Sequence, residues 1–91
     1  MIRITTEKRD STWVVRIHGQ LGQDDVEVLD EACRAVSGPL CLDLSELRGL
    51  DERGVEAIRA ALANGAQVSG ASPYVELRLG RRRNIKIRRK T

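Results

Sequence analysis

An α/β fold, a four-stranded mixed sheet with about three helices packed on it, is predicted for this 91-residue chain by three observations. Leu40, Leu42 and Leu44 alternate with Cys41 and Asp43, the two-residue period of a strand. Shortly after, Val55, Ile58 and Leu62 recur at helical spacing among Ala57, Ala60, Ala61 and Ala63, all strong helix formers. Along the whole chain the two periods follow one another as strand, strand, helix, strand, helix, strand, helix. That order implies parallel crossovers over one sheet.

At the start of the chain Ile2 and Ile4 alternate with Arg3 and Thr5, and T-T-E-K-R-D-S-T reads as a turn or loop. W-V-V-R-I-H, from Trp13, forms a second strand and pairs with the first as an antiparallel hairpin. His18 stands alone at its end, with no Cys, His or acid at ligand spacing. Gly19 to Gly22 reads as a connection. Gln23 or Asp24 opens the first helix, with Asp24, Asp25 and Glu27 in the first turn, where negative charge meets the positive end of the helix dipole. Val26, Leu29, Cys33 and Val36 form its apolar stripe, and Ser37-Gly38-Pro39 stops it.

The central strand and the second helix are joined by a loop through Ser45 to Leu50. Asp51 is the expected N-cap of that helix, its carboxylate accepting orphan amide protons of the first turn, with Glu52 at the first helical position. The helix ends at Asn64-Gly65. Ala66 to Gly70 is a short fourth strand, and Ser72-Pro73 is a cap followed by a proline at the first helical position, opening a third helix. Tyr74, Val75, Leu77 and Leu79 supply its apolar side before Gly80.

The stretch L-C-L-D-L-S-x-L-x-x-L-D-x-x-G-V, followed by a helix, a strand and G-A-S-P-Y-V, resembles the central signature of the STAS domain, the fold of bacterial anti-sigma factor antagonists. The resemblance covers roughly Ile2 to Leu79. It implies a STAS-like sheet and a non-enzymatic protein–protein interaction module. The implied partner is an anti-sigma factor or a similar regulatory protein, or else the module is an accessory subunit of a transport system. In the family the motif reads Asp-Ser-Ser-Gly and a partner kinase phosphorylates the first serine. Here those positions are Asp51, Glu52, Arg53 and Gly54, so Glu52 stands at the phospho-site equivalent and is not phosphorylatable. The family also carries an apolar residue that seals one end of the domain, a role matched by Leu21. The expected docking surface is Asp51, Glu52, Arg53, Gly54, Glu56 and Arg59 with the Ser45 to Leu50 loop.

Composition narrows the function classes. No apolar run approaches the ~18–20 residues that span a bilayer, and the first residues lack the apolar region of a signal peptide, so a cytoplasmic protein is expected. Cys33 and Cys41 lack metal-ligand neighbours and sit in apolar patterns, which predicts reduced core thiols. No phosphate-cradling glycine loop, Ser/His/Asp set or paired acid–base couple is present, so neither an enzyme nor a cofactor is expected. The remaining catalytic alternative is a Mg²⁺-dependent hydrolase, with Asp43, Asp51 and Glu52 converging at the carboxyl end of the central strand.

Charge is split along the chain. Residues 1–77 carry eight basic side chains and all thirteen acidic ones, a net −5, whereas residues 78–91 carry eight basic and no acidic ones. The chain therefore divides into a domain over 1–80 and a basic C-terminal tail over 81–91. Arg81, Arg82, Arg83, Lys86, Arg88, Arg89 and Lys90 make nucleic acid or another anionic surface the alternative partner, although no aromatic side chain stands among them to stack on bases. The tail reads as a solvated basic extension. Ile85 and Ile87, two residues apart, also allow an added edge strand.

Overall fold

The structure, a computed structural model, describes residues 2–80; the expected tail over 81–91 lies outside the described residues. Its elements run β1 (Ile2–Arg9), β2 (Thr12–Leu21), a 3₁₀ turn (Gln23–Asp25), α1 (Val26–Arg34), β3 (Leu40–Asp43), β4 (Leu47–Leu50), α2 (Glu52–Ala63), β5 (Gln67–Ser69) and α3 (Pro73–Leu79). The sheet order is β1-β2-β3-β5, with β1 antiparallel to β2 and the β2–β3 and β3–β5 pairs parallel. The sheet has five strands where four were expected, because β4 adds itself in parallel beside the end of β2.

One face of the sheet is covered by all three helices. Val15 and Ile17 of β2 lie on it with Leu42 of β3, and the helices add Leu29, Ile58, Val75 and Leu79 to the same buried cluster. With no phenylalanine to fill it, the core is aliphatic. The alternation that buries Val15 and Leu42 sends Arg16 and Asp43, which are register partners, to the opposite face.

Several expectations are corrected here. The polar run T-T-E-K-R-D-S-T is strand up to Arg9 and again from Thr12, with Glu7, Lys8 and Arg9 in register with Val14, Trp13 and Thr12. The ladder holds these polar residues extended, and the Lys8 ammonium lies 5.7 Å from the centre of the Trp13 ring. The turn itself shrinks to Asp10-Ser11, where Asp10 takes a left-handed φ of 56° that aspartate tolerates.

The segments read as a Gly19–Gly22 connection and a Ser45–Leu50 loop are the paired ends of β2 and β4. The register between them slips at Gly19/Gln20, so that Leu47 faces Gly19 and Leu50 faces Leu21. That slip explains the sequence spacing: Leu47 and Leu50 are both buried although three residues apart, a pattern unlike regular alternation.

In α3 the apolar side is narrower than expected. Val75 and Leu79, four apart, are buried, whereas Tyr74 and Leu77 are exposed. The caps follow expectation: the Ser72 hydroxyl accepts from the Val75 amide at 3.2 Å and Gly80 ends the helix in the left-handed region. The first helix proper starts at Val26, after the 3₁₀ turn. Cys33 and Cys41 are free thiols, but half-buried instead of lying in the core. Burial pushes the Cys33 thiol up, and the Cys41 Sγ–H points to the Ser69 hydroxyl at 3.5 Å. Among the described residues no helix is long and apolar enough to cross a membrane.

Candidate functional site

The site is the junction at the end of the sheet where β2, β4 and the 3₁₀ turn meet the start of α2. Asp51 is its hub. Its amide donates to the Leu21 carbonyl at 3.1 Å, which ties it to the last residue of β2. One carboxylate oxygen, Oδ1, accepts from the Gly54 amide at 2.9 Å and caps α2. The other, Oδ2, accepts from the Gln23 amide at 3.1 Å. One side chain thus fastens the 3₁₀ turn before α1 to the first turn of α2. The Gly54 amide is the main reason that the Asp51 carboxyl is held below the usual carboxylate range. Loss of solvation pushes the other way, and the Gln23 and Arg53 amides and the Arg78 cation add to the depression.

Gly54 permits the close approach. A Cβ there would stand 2.5 Å from the Leu21 carbonyl oxygen, 3.1 Å from Leu21 Cγ and 3.2 Å from Leu50 Cβ. Gly54 is buried and offers a partner nothing to touch, so its part in the expected site is to seat the helix. Glu52, Arg53, Glu56 and Arg59 are exposed, and so is Asp51 itself. Beside them Gln23, Asp24, Val26, Glu27 and Arg53 line a shallow depression of about 390 Å³. Two acidic side chains, Asp24 of the 3₁₀ turn and Glu27 of α1, therefore border it together with the Arg53 cation of α2. A larger groove of about 600 Å³, lined among others by Leu29, Cys33, Ala57 and Ala61, runs between α1 and α2 and reaches Asn64.

Asp43 does a separate job on the open face of the sheet. Its Oδ1 accepts from the Ser45 amide at 3.0 Å and the Ser45 hydroxyl at 2.7 Å, and its Oδ2 accepts from Arg16 Nε at 2.9 Å. Burial works to raise this carboxyl, but the Ser45 donors and the Arg16 guanidinium outweigh it and hold it low. All four carboxylate oxygens of Asp43 and Asp51 are occupied by protein donors. The alternative in which Asp43, Asp51 and Glu52 converge on a cation finds no support in the geometry: among the described residues no group of three or more His, Cys, Asp or Glu is placed to hold a metal ion.

Two carboxyls held low predict a fold that loses stability in acid. Each contributes stability that is fully present above its unfolded value, about 3.9, and is lost as the pH falls through its lower folded value. Thermal unfolding midpoints are expected to be flat between pH 7 and 5 and to drop below about pH 4. In Asp43→Asn the drop should shrink while the midpoint at pH 7 falls; an unchanged acid limb would show that Asp43 carries none of it.

Several members of the site were not singled out from sequence. Gln23 acts through its backbone amide, which leaves no trace in residue type. Arg78 Nη1 donates to the Leu50 carbonyl at 2.8 Å and to the Tyr74 hydroxyl at 2.7 Å, its guanidinium 5.7 Å from the Tyr74 ring centre. The Tyr74/Arg78 spacing of four on α3 was the one available signal.

No protein-family model matches the sequence, and no curated protein matches it. Solved structures do. An antisigma-factor antagonist STAS domain from Rhodobacter sphaeroides is 25% identical, with a TM-score of 0.59 over 79% of this chain and 92% of that one. The anti-sigma factor antagonist SpoIIAA in its unphosphorylated form is 17% identical, with a TM-score of 0.63 over 82% of this chain and 79% of that one. A protein whose crystal structure is described as Mglu is 13% identical with a TM-score of 0.68. The match covers 76% of this chain but only 20% of that larger one. The chain thus shares the fold of STAS and SpoIIAA-type anti-sigma factor antagonist domains.

Proposed function

We propose that this chain is a non-enzymatic interaction module of the anti-sigma factor antagonist kind, docking a regulatory protein through the start of α2. The observation that carries this reading is the double use of Asp51. With both oxygens occupied by the Gln23 and Gly54 amides, it anchors two helix starts and leaves Glu52, Arg53, Glu56 and Arg59 exposed on a rigid platform. A platform of this kind presents side chains with little conformational cost on binding. Glu52 sits at the first helical position, where the helix dipole favours an anion. It holds about one negative charge there permanently, in place of the ~1.5–2 that a phosphate would bring. Glu52 and Glu56, four residues apart on exposed α2, give the partner two carboxylates to face, so basic side chains on the partner complement them.

Affinity capture with the chain as bait, followed by mass spectrometry, identifies the partner, and Glu52→Lys tests the surface. The charge reversal at a helix start should cost about 0.5–2 kcal/mol of stability. Binding should fall by about tenfold or more and lose salt dependence, as a charge at the docking face would require. A variant that is folded, destabilised as stated and binds its partner with unchanged affinity would make Glu52 a purely structural residue and move the docking surface elsewhere. Recovery of a transporter subunit in place of an anti-sigma factor would keep the surface and change the partner.

A further inference from the structure

We infer that Arg78, on α3, is a positioning residue for the docking surface: it grips the Leu50 carbonyl and thereby fixes the turn from which Asp51 and the first turn of α2 are aimed. The inference rests on the reading of that helix start as the docking surface. Leu50 is the last residue of β4 and immediately precedes the cap, so whatever holds its peptide holds the cap. The Arg78 guanidinium does so at 2.8 Å, and its hydrogen bond to the Tyr74 hydroxyl one turn earlier keeps the long side chain from swinging away. A charged donor on a carbonyl is among the stronger neutral–ion hydrogen bonds. Leu50 Cβ also packs within 3.2 Å of where a Gly54 side chain would begin, so movement of Leu50 reaches the helix start by contact as well as through the chain. The remaining supports of the junction come from β2 and the 3₁₀ turn. Arg78 is the support that comes from α3, an element 28 residues further along the chain.

The test uses two readouts that need no partner. In Arg78→Met the amides of Asp51 and Gly54, which donate to the Leu21 carbonyl and to the Asp51 carboxylate, should exchange with solvent about tenfold faster. Those of Val15 and Leu42 in the buried strands should change little. The Asp51 carboxyl, followed by carbon NMR, should titrate higher than in the parent protein. The charged groups around it are Asp25 of the 3₁₀ turn, Glu52 and Arg53 of α2, and Arg78, of which only Arg78 changes. Arg78→Lys keeps the cation and should return most of that titration shift. Tyr74→Phe, which leaves the Leu50 carbonyl bond intact, should disturb the Asp51 and Gly54 amides less than Arg78→Met does. If Arg78→Met speeds exchange no more at Asp51 and Gly54 than at Val15 and Leu42, Arg78 is only part of the general fold. The same holds if the Asp51 titration does not move. Should Arg78→Met fail to fold, Arg78→Lys against Tyr74→Phe decides by the same amides. Loss of the partner reading would leave these results standing, and their failure would leave that reading standing.

Discussion

Gly54→Ala is expected to destabilise the protein by about 1–3 kcal/mol, despite replacing a residue poorly suited to a helix by the best helix former. Two effects compete. Alanine gains about 0.8–1 kcal/mol of helix propensity over glycine. Against that, its methyl carbon would stand 2.5 Å from the Leu21 carbonyl oxygen, closer than any real contact. The atom it meets is backbone and is already accepting the Asp51 amide, so it cannot turn aside. The helix must slide outward, breaking the Asp51–Gly54 hydrogen bond and the contact with Leu50. Sterics win. For a domain of this length the unfolding midpoint should drop by about 4–8 °C for each kcal/mol. A midpoint equal to or above the parent's would mean that α2 moves off Leu21 without cost, and the tight junction described above would not hold. Because the displaced element carries Glu52, Arg53, Glu56 and Arg59, partner affinity should fall as well, beyond what the unfolded fraction explains.

How much of this was legible in sequence depends on where the information lay. The core strands and α2 were legible because Leu40–Leu44 and Val55–Ile58–Leu62 each keep one period, and the cap at Asp51 because its chemistry is local. The fifth strand was not, because β4 is read only through its partner. The register slip at Gly19/Gln20 spoils the alternation of Leu47 and Leu50, and four residues with Arg48 and Gly49 among them look like loop. The polar half of β1 was hidden for a related reason. Glu7, Lys8 and Arg9 are extended because β2 pairs with them, a non-local cause that residue type does not report. At the site, Asp51, Glu52, Arg53, Glu56 and Arg59 were named from the resemblance to the STAS signature. Gly54 was named too, but as surface, when its value is in having no side chain where α2 meets Leu21. The backbone amide of Gln23 and the reach of Arg78 to Leu50 depend on tertiary placement and leave no pattern along the chain.

Leu21→Ala should be the most damaging single truncation near the site, at about 2–5 kcal/mol. Leu21 is fully buried at the end of β2, pairs in register with Leu50, and underlies Gly54. Its removal subtracts the transfer free energy of the lost carbons and leaves a void that the junction is poorly placed to fill. The neighbours on one side are the Gly54 backbone and on another the strand end of β4, both already fixed by hydrogen bonds to Asp51 and Arg78. Leu21→Met, which keeps the volume, should cost less than about 1.5 kcal/mol. Leu77→Ala is the contrast on α3: at 67% exposure it should stay within about 0.5 kcal/mol of the parent. Chemical denaturation of the three variants side by side checks the ranking, since a cavity lowers the midpoint while leaving the slope unchanged. If Leu21→Ala behaved like Leu77→Ala, the end of the sheet would be loosely packed, and Asp51 alone would hold the start of α2. A large loss for Leu21→Ala with a small one for Leu21→Met instead identifies packed volume beneath Gly54 as what seats the helix. The Asp51 amide still reaches the Leu21 carbonyl in both variants, so the difference between them isolates the side chain from the backbone bond.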